Sequence, residues 1–126
     1  MRLDEKAREN LEAAERLLST MEDTELPLHN ASVSRAYYAA YQAVADRALR
    51  DGLAFDSTRD YFRHDALPGR ARDHGILDLD QHDELALLYE LRIRADYKED
   101  QLPYEVAADA AEAAARIVRA LVGASS

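Results

Sequence analysis

Residues 32–48, Ser32-Val33-Ser34-Arg35-Ala36-Tyr37-Tyr38-Ala39-Ala40-Tyr41-Gln42-Ala43-Val44-Ala45-Asp46-Arg47-Ala48, decide the fold. Val33, Ala36 or Tyr37, Ala40, Val44 and Ala48 recur at steps of three and four, the period of a helix with one buried stripe. Small residues at 36, 39, 40, 43 and 45 let a second helix approach this one closely. The helix is expected to begin at Asn30 or Ser32, both good N-terminal caps. It is expected to end at Gly52, where a left-handed residue costs little.

The segments on either side repeat the pattern. From about Leu3 to Met21, the residues Leu3, Ala7, Leu11, Ala14, Leu18 and Met21 fall on one helical face with charges between them. The stretch from Asp23 to Pro27 ends that helix, because Leu26 precedes a proline. On the far side, Ser57 is expected to cap a third helix over Thr58 to Ala66, stopped before Pro68, with a turn through Ala71 and Gly75. Asp78 or Asp80 then caps a fourth helix, carrying Leu85, Leu88, Leu91 or Arg92, and Ala95 on one side. Pro103 suits the first turn of a last helix running to about Val122. The expectation is an all-α protein: a single domain over residues 1–126, folded as an up-and-down antiparallel bundle of four to five helices. No repeat, linker or second domain is read, and the Gly-Ala-Ser-Ser end is expected to fray.

Composition agrees with that reading and narrows the function. Apolar residues make up 48% of the 126 and charged residues 33%, with four Gly and three Pro; this balance suits packed helices with solvated faces. The absence of cysteine removes disulfides, zinc-thiolate sites and thiol nucleophiles. The opening residues are charged and carry no apolar signal run, and no stretch is long enough to span a bilayer, so the cytoplasm is the default compartment and no membrane partner is expected. A formal charge of −9 repels phosphate backbones at long range. A local basic pocket remains compatible with it, since Arg63, Arg70 and Arg72 cluster in sequence, as do Arg92 and Arg94.

Two stretches carry candidate chemistry. At the end of the fourth helix, Arg92 and Asp96 lie one turn apart with Tyr97 beside them. A guanidinium can hold phosphate, a carboxylate can accept a proton, and a phenol can stack or donate. The same trio also suits an ordinary surface ion pair beside a core tyrosine. In the second helix, Arg35 with Tyr37, Tyr38 and Tyr41 suits either a stacking and phosphate-binding surface or plain core packing. The four histidines, His29, His64, His74 and His82, show no metal-ligand spacing, and no metal or cofactor is expected. His64 stands out among them because Arg63 and Arg70 flank it. There is no Gly-rich loop to cradle a phosphate.

Taken together, the order SRAYYAAYQAV (34–44), a middle segment, LYELRIRADY (88–97) and an alanine-rich last helix resembles the HEPN family of prokaryotic helical domains. The resemblance runs over nearly the whole chain, including the LEAAERLL pattern at 11–18. It implies a four- or five-helix bundle, usually a symmetric homodimer. Many HEPN domains are metal-independent ribonucleases whose composite site forms where the same helix of each subunit meets. Others are partners of small nucleotidyltransferases in two-gene toxin–antitoxin modules. By resemblance the motif arginine falls on Arg92, the acidic-aromatic pair on Asp96 and Tyr97, and the second-helix motif on Arg35 and Tyr38; His64 joins the substrate-binding candidates for its basic neighbours.

The chain departs from the nuclease pattern after Arg92, where nuclease members carry a histidine and this chain has Tyr97, Lys98 and Glu99. Ile93 also replaces the polar residue usually next to the arginine. Arg59 and His64 do match the spacing literally, yet they lie on a different segment, and chance supplies such a pair in a chain this rich in arginine. The expected function is therefore a homodimer that binds a nucleotide or an RNA phosphate, in a toxin–antitoxin or defence module with a minimal nucleotidyltransferase partner. It is read as a non-nuclease or weak nuclease. The alternative is a metal-independent ribonuclease toxin, with Arg92 stabilising phosphate charge and Asp96 or Tyr97 as the base.

Overall fold

A computed structural model of the chain describes residues 2–19, 28–55, 61–97 and 102–122, without the side chains of Leu28 and Tyr97. Among the described residues there are five helices and no strand: α1 (Leu3–Ser19), α2 (Leu28–Arg50), α3 (Leu67–Asp73), α4 (Leu79–Tyr97) and α5 (Tyr104–Leu121). No helix among them is long and apolar enough to cross a membrane.

Helix α2 is the centre of the bundle and packs against each of the other four helices. Its small and apolar residues are buried on nearly every side, which is why it shows a broad buried surface instead of a narrow stripe. Val33, Ala36, Tyr37, Ala40, Val44 and Ala48 join the main core with Leu85 and Leu88 of α4 and Ala107, Ala114 and Ile117 of α5. Ala39 and Ala43 face elsewhere, forming a second cluster with Ala7 of α1 and Val118 of α5.

Polar contacts at the ends of α2 fix the direction of its neighbours. Ser32 Oγ donates to the Ala14 carbonyl at 2.9 Å, and Arg50 reaches Asp4 at 3.4 Å, so α1 and α2 run antiparallel. Asn30 Nδ2 donates to the Ala95 carbonyl at 3.3 Å while Arg92 meets Tyr38 further along, so α4 is antiparallel to α2 as well. Arg116 of α5 pairs with Glu84 of α4 at 2.9 Å, placing the end of α5 beside the start of α4.

Several local expectations are corrected. Asn30 and Ser32 do not cap α2, which starts at Leu28; both side chains bridge to other helices instead. Residues 61–66, expected in a third helix, are not helical, with a turn only at 64–66, and α3 begins at Leu67, with Pro68 in its first turn. A proline lacks only an N–H that the first turn leaves unused, so Pro68 opens the helix it was expected to stop. Ser57 and Thr58 lie outside the described residues, as do Met21 and Asp23 to Pro27. Asp78 caps α4: its carboxylate accepts from the Gln81 N–H at 2.8 Å, and Gln81 accepts from the Asp78 N–H at 2.9 Å, a reciprocal capping box. Pro103 sits at the N-cap of α5, one residue before the helix. Gly52 has φ +90°, the left-handed turn expected after α2.

Candidate functional site

Antiparallel packing of α2 on α4 pairs two four-residue steps, Ser34 and Tyr38 on one helix against Asp96 and Arg92 on the other. Arg92 Nε lies 2.9 Å from Asp96 Oδ2, an i,i+4 ion pair along α4. The Arg92 guanidinium also donates to the Tyr38 hydroxyl at 2.7 Å. The second carboxylate oxygen of Asp96 accepts from the Ser34 hydroxyl. The guanidinium carbon stands 5.3 Å from the Tyr38 ring centre and 5.9 Å from that of Tyr37, within range of cation–π attraction. The Arg92 side chain is only 14% exposed, against 30% for Asp96. The charge is therefore held by Asp96, Tyr38 and Tyr37 on two helices, with its geometry set before any ligand arrives.

His64 enters the same cluster from the segment between α2 and α3. That segment is anchored by Phe62, which is fully buried. The Tyr41 hydroxyl donates to the Phe62 carbonyl at 2.6 Å, Phe55 packs against its ring at 5.2 Å, and the Arg70 guanidinium covers it at 5.3 Å. So anchored, His64 stacks on Tyr41 with ring centres 4.2 Å apart and lies nearly parallel to Tyr89 at 6.2 Å. Its Nδ1 is hydrogen-bonded to the Tyr37 hydroxyl.

Burial lowers the His64 pKa, and the nearby Arg92 charge lowers it further, against a smaller opposing pull from Asp65. Burial raises the Tyr37 pKa, helped by the phenol of Tyr41. Both rings are thus neutral near pH 7. In the arrangement where the Tyr37 phenol donates to Nδ1, the imidazole proton sits on Nε2.

The structure brings Arg92, Asp96, Tyr38 and His64 into one cluster. It does not bring Arg35 there: Arg35 is exposed and donates to Asn10 of α1 at 3.1 Å. Its neighbour Ser34 takes the position beside Asp96. Tyr97 ends α4, and its side chain lies outside the described residues, as does Arg59. The remaining histidines are elsewhere: His29 Nδ1 meets the Leu102 carbonyl at 2.9 Å, His74 caps α3, and His82 Nδ1 meets Asp83 at 2.9 Å. Among the described residues no three His, Asp or Glu side chains are grouped as a metal site.

Sequence reading missed Ser34 and Tyr89. The signal for Ser34 was its four-residue step from Tyr38, matching the step from Arg92 to Asp96. For Tyr89 it was the neighbouring position to Leu88, at the edge of the buried side of α4. No family model matches the chain, and no curated protein matches its sequence.

Proposed function

We propose that this is a HEPN-type domain that acts as a homodimer and binds the phosphate of a nucleotide or of RNA at Arg92. Its setting is a toxin–antitoxin or defence module with a minimal nucleotidyltransferase partner, where it serves as a non-nuclease or weak nuclease. One observation carries the phosphate reading: a largely buried guanidinium is fixed between Tyr38 and Asp96 over two aromatic rings. Such a cation is preorganised, and its charge is screened less than on an open surface.

The same geometry supports weak turnover. The Asp96 carboxylate already faces Arg92, so an incoming phosphate competes with it for the cation. Helix α4 also carries no histidine after Arg92 to move a proton. The ribonuclease alternative draws on a different observation, the convergence of His64 on the Arg92 cluster through Tyr37 and Tyr38. In that version Arg92 offsets the charge that develops as a 2′-hydroxyl attacks phosphorus and the 5′-oxygen of the next nucleotide leaves; His64, in the tautomer whose Nδ1–H donates to the Tyr37 oxygen, takes the hydroxyl proton on its free Nε2 and returns it to the leaving oxygen.

Substituting Asp96→Asn separates the two. A binding site gains affinity for phosphate compounds when the competing carboxylate becomes an amide, by about tenfold if the competition is worth about 1.4 kcal/mol. Titration of inorganic phosphate by calorimetry measures it. RNA cleavage by the purified protein, abolished by both Arg92→Ala and His64→Ala, would instead establish the ribonuclease. Sedimentation at micromolar concentration tests the homodimer.

A further inference from the structure

Tyr38 also lines a half-open cavity of about 400 Å³, together with residues of α1 and α2, Phe55 and residues from the 61–64 segment. Its wall is built from six rings: Tyr38, Tyr41, Phe55, Tyr61, Phe62 and His64. Aliphatic contributions are small, from Leu3 and Ala45. Among the described residues Lys6 is the one permanent charge in the lining, and it is positive. We propose that this cavity is a nucleobase subsite, taking the planar ring of a nucleotide whose phosphate lies against Arg92 beside the Tyr38 ring.

Three properties point to that ligand. The volume falls in the range of small-molecule sites, roughly 300–1,000 Å³, near its lower end. A lining drawn mostly from aromatic side chains favours a flat π-system over an aliphatic chain, since base–aromatic stacking is strong and tolerant of base identity. The charge is complementary too: Lys6 lines the cavity and Arg92 donates to the hydroxyl of Tyr38, so an anionic group is favoured near Tyr38.

Tyr38 links the two places physically. It lines the cavity with one part of its ring while its hydroxyl accepts from Arg92 at 2.7 Å. A base and its own phosphate therefore reach both without the ligand crossing the bundle. The net charge of −9 selects further, because it repels a long polyanion far more than a single nucleotide.

The inference rests on the phosphate reading of Arg92, and the test tells the failures of the two apart. Adenosine monophosphate, adenosine, ribose 5-phosphate and a four-adenylate oligonucleotide are titrated into the full chain by calorimetry. The same titrations are run on Tyr61→Ala, Lys6→Gln and Arg92→Gln. Tyr61 is 41% exposed at the cavity rim, so its truncation leaves the core intact, and a thermal melt checks that.

The expected result is that adenosine monophosphate binds best and adenosine binds measurably. Tyr61→Ala then weakens both by about tenfold, within the range for losing one stacked base. Lys6→Gln and Arg92→Gln weaken the monophosphate and leave adenosine unchanged. Binding of adenosine and its monophosphate that falls with Tyr61→Ala yet ignores Arg92→Gln keeps the base cavity and removes the phosphate from Arg92. Ribose 5-phosphate binding as tightly as the nucleotide, sensitive to Arg92→Gln and indifferent to Tyr61→Ala, keeps the phosphate site and overturns the base cavity. No binding of any of the four at millimolar concentration overturns both. Tighter binding of the oligonucleotide than of the monophosphate assigns the base to single-stranded RNA; the reverse order assigns it to a free nucleotide.

Discussion

Helix α2 meets its neighbours through two faces built on opposite principles. Toward α1 and α5, Ala39 and Ala43 pack with Ala7 and Val118, and contact comes from backbones that lie close together. Toward α4 and the 61–66 segment, Tyr37, Tyr38 and Tyr41 fill the space with rings whose hydroxyls all find partners. Ala7, Ala39 and Ala43 of the alanine face are fully buried, so volume added there must displace a neighbour. The tyrosine face holds an arginine and a histidine against its rings. One helix can thus both fasten a bundle and build a polar site, provided the two tasks are on different sides.

Adding volume to the alanine face should have the largest effect. Ala43 is fully buried, and Ala43→Leu is expected to destabilise the fold by about 3 kcal/mol, the upper part of the usual overpacking range. Urea denaturation measures this, and a change under about 1 kcal/mol would show that α1 and α5 can move aside.

Next in size is the loss of a buried hydroxyl from the other face. Tyr37 is 1% exposed, and Tyr37→Phe keeps the ring while leaving His64 Nδ1 without its phenol. A cost of about 2 kcal/mol is expected for an unsatisfied group in this setting. If Tyr37→Phe proves neutral in the same urea titration, the phenol–imidazole bond does little to hold the 61–66 segment.

The third test uses pH. His64 has a folded-state pKa below its ordinary 6.5, so the unfolded chain takes up its proton first as pH falls. The stability it contributes is whole above about pH 6.5 and declines as pH drops from there toward the lowered folded value. The urea midpoint should fall in that window, and His64→Gln should flatten the dependence. Asp4 does not mask this effect. Burial raises its pKa, but the Glu5 N–H and the charges of Arg2 and Arg50 outweigh burial and hold it below the usual 3.8, so its contribution is lost only at lower pH.

The smallest effect belongs to neither face. Arg47 and Asp51 form an exposed i,i+4 pair at 3.2 Å. Arg47→Ala should leave the urea midpoint within experimental scatter, as exposed pairs generally do. A clear loss there would mean that surface charge, and not the two faces, sets the stability of α2.

Periodicity made α1, α2 and α4 legible, because each buries residues at three- and four-residue steps, and Pro103 with the alanine-rich stretch after it marked α5. Periodicity failed at α3, where Pro68 was taken as a stop while Leu67 and Ala71, one turn apart and both buried, were the better signal. Asn30 and Ser32 were read as caps because local rules see only neighbouring N–H groups, whereas their partners lie on other helices. In the candidate site, the Arg92–Asp96 pair follows from helical spacing alone. The approach of His64 does not: it depends on Phe62 burying itself between elements remote in sequence. Arg35 shows the converse, since its place beside Tyr37 in the chain says nothing about which side of α2 it takes.

Asn30 has one more consequence. Its side chain donates to the Ala95 carbonyl and accepts from the Leu102 N–H at 2.9 Å, so a single amide grips the chain both before and after residues 98–101. The end of α4 and the approach to α5 are thereby spliced through α2 as well as through the peptide link between them. Connectivity at that point is partly redundant. A peptide tag inserted between residues 98 and 101 should leave Asp96 and Arg92 in place, which makes this a natural seam for a reporter fusion.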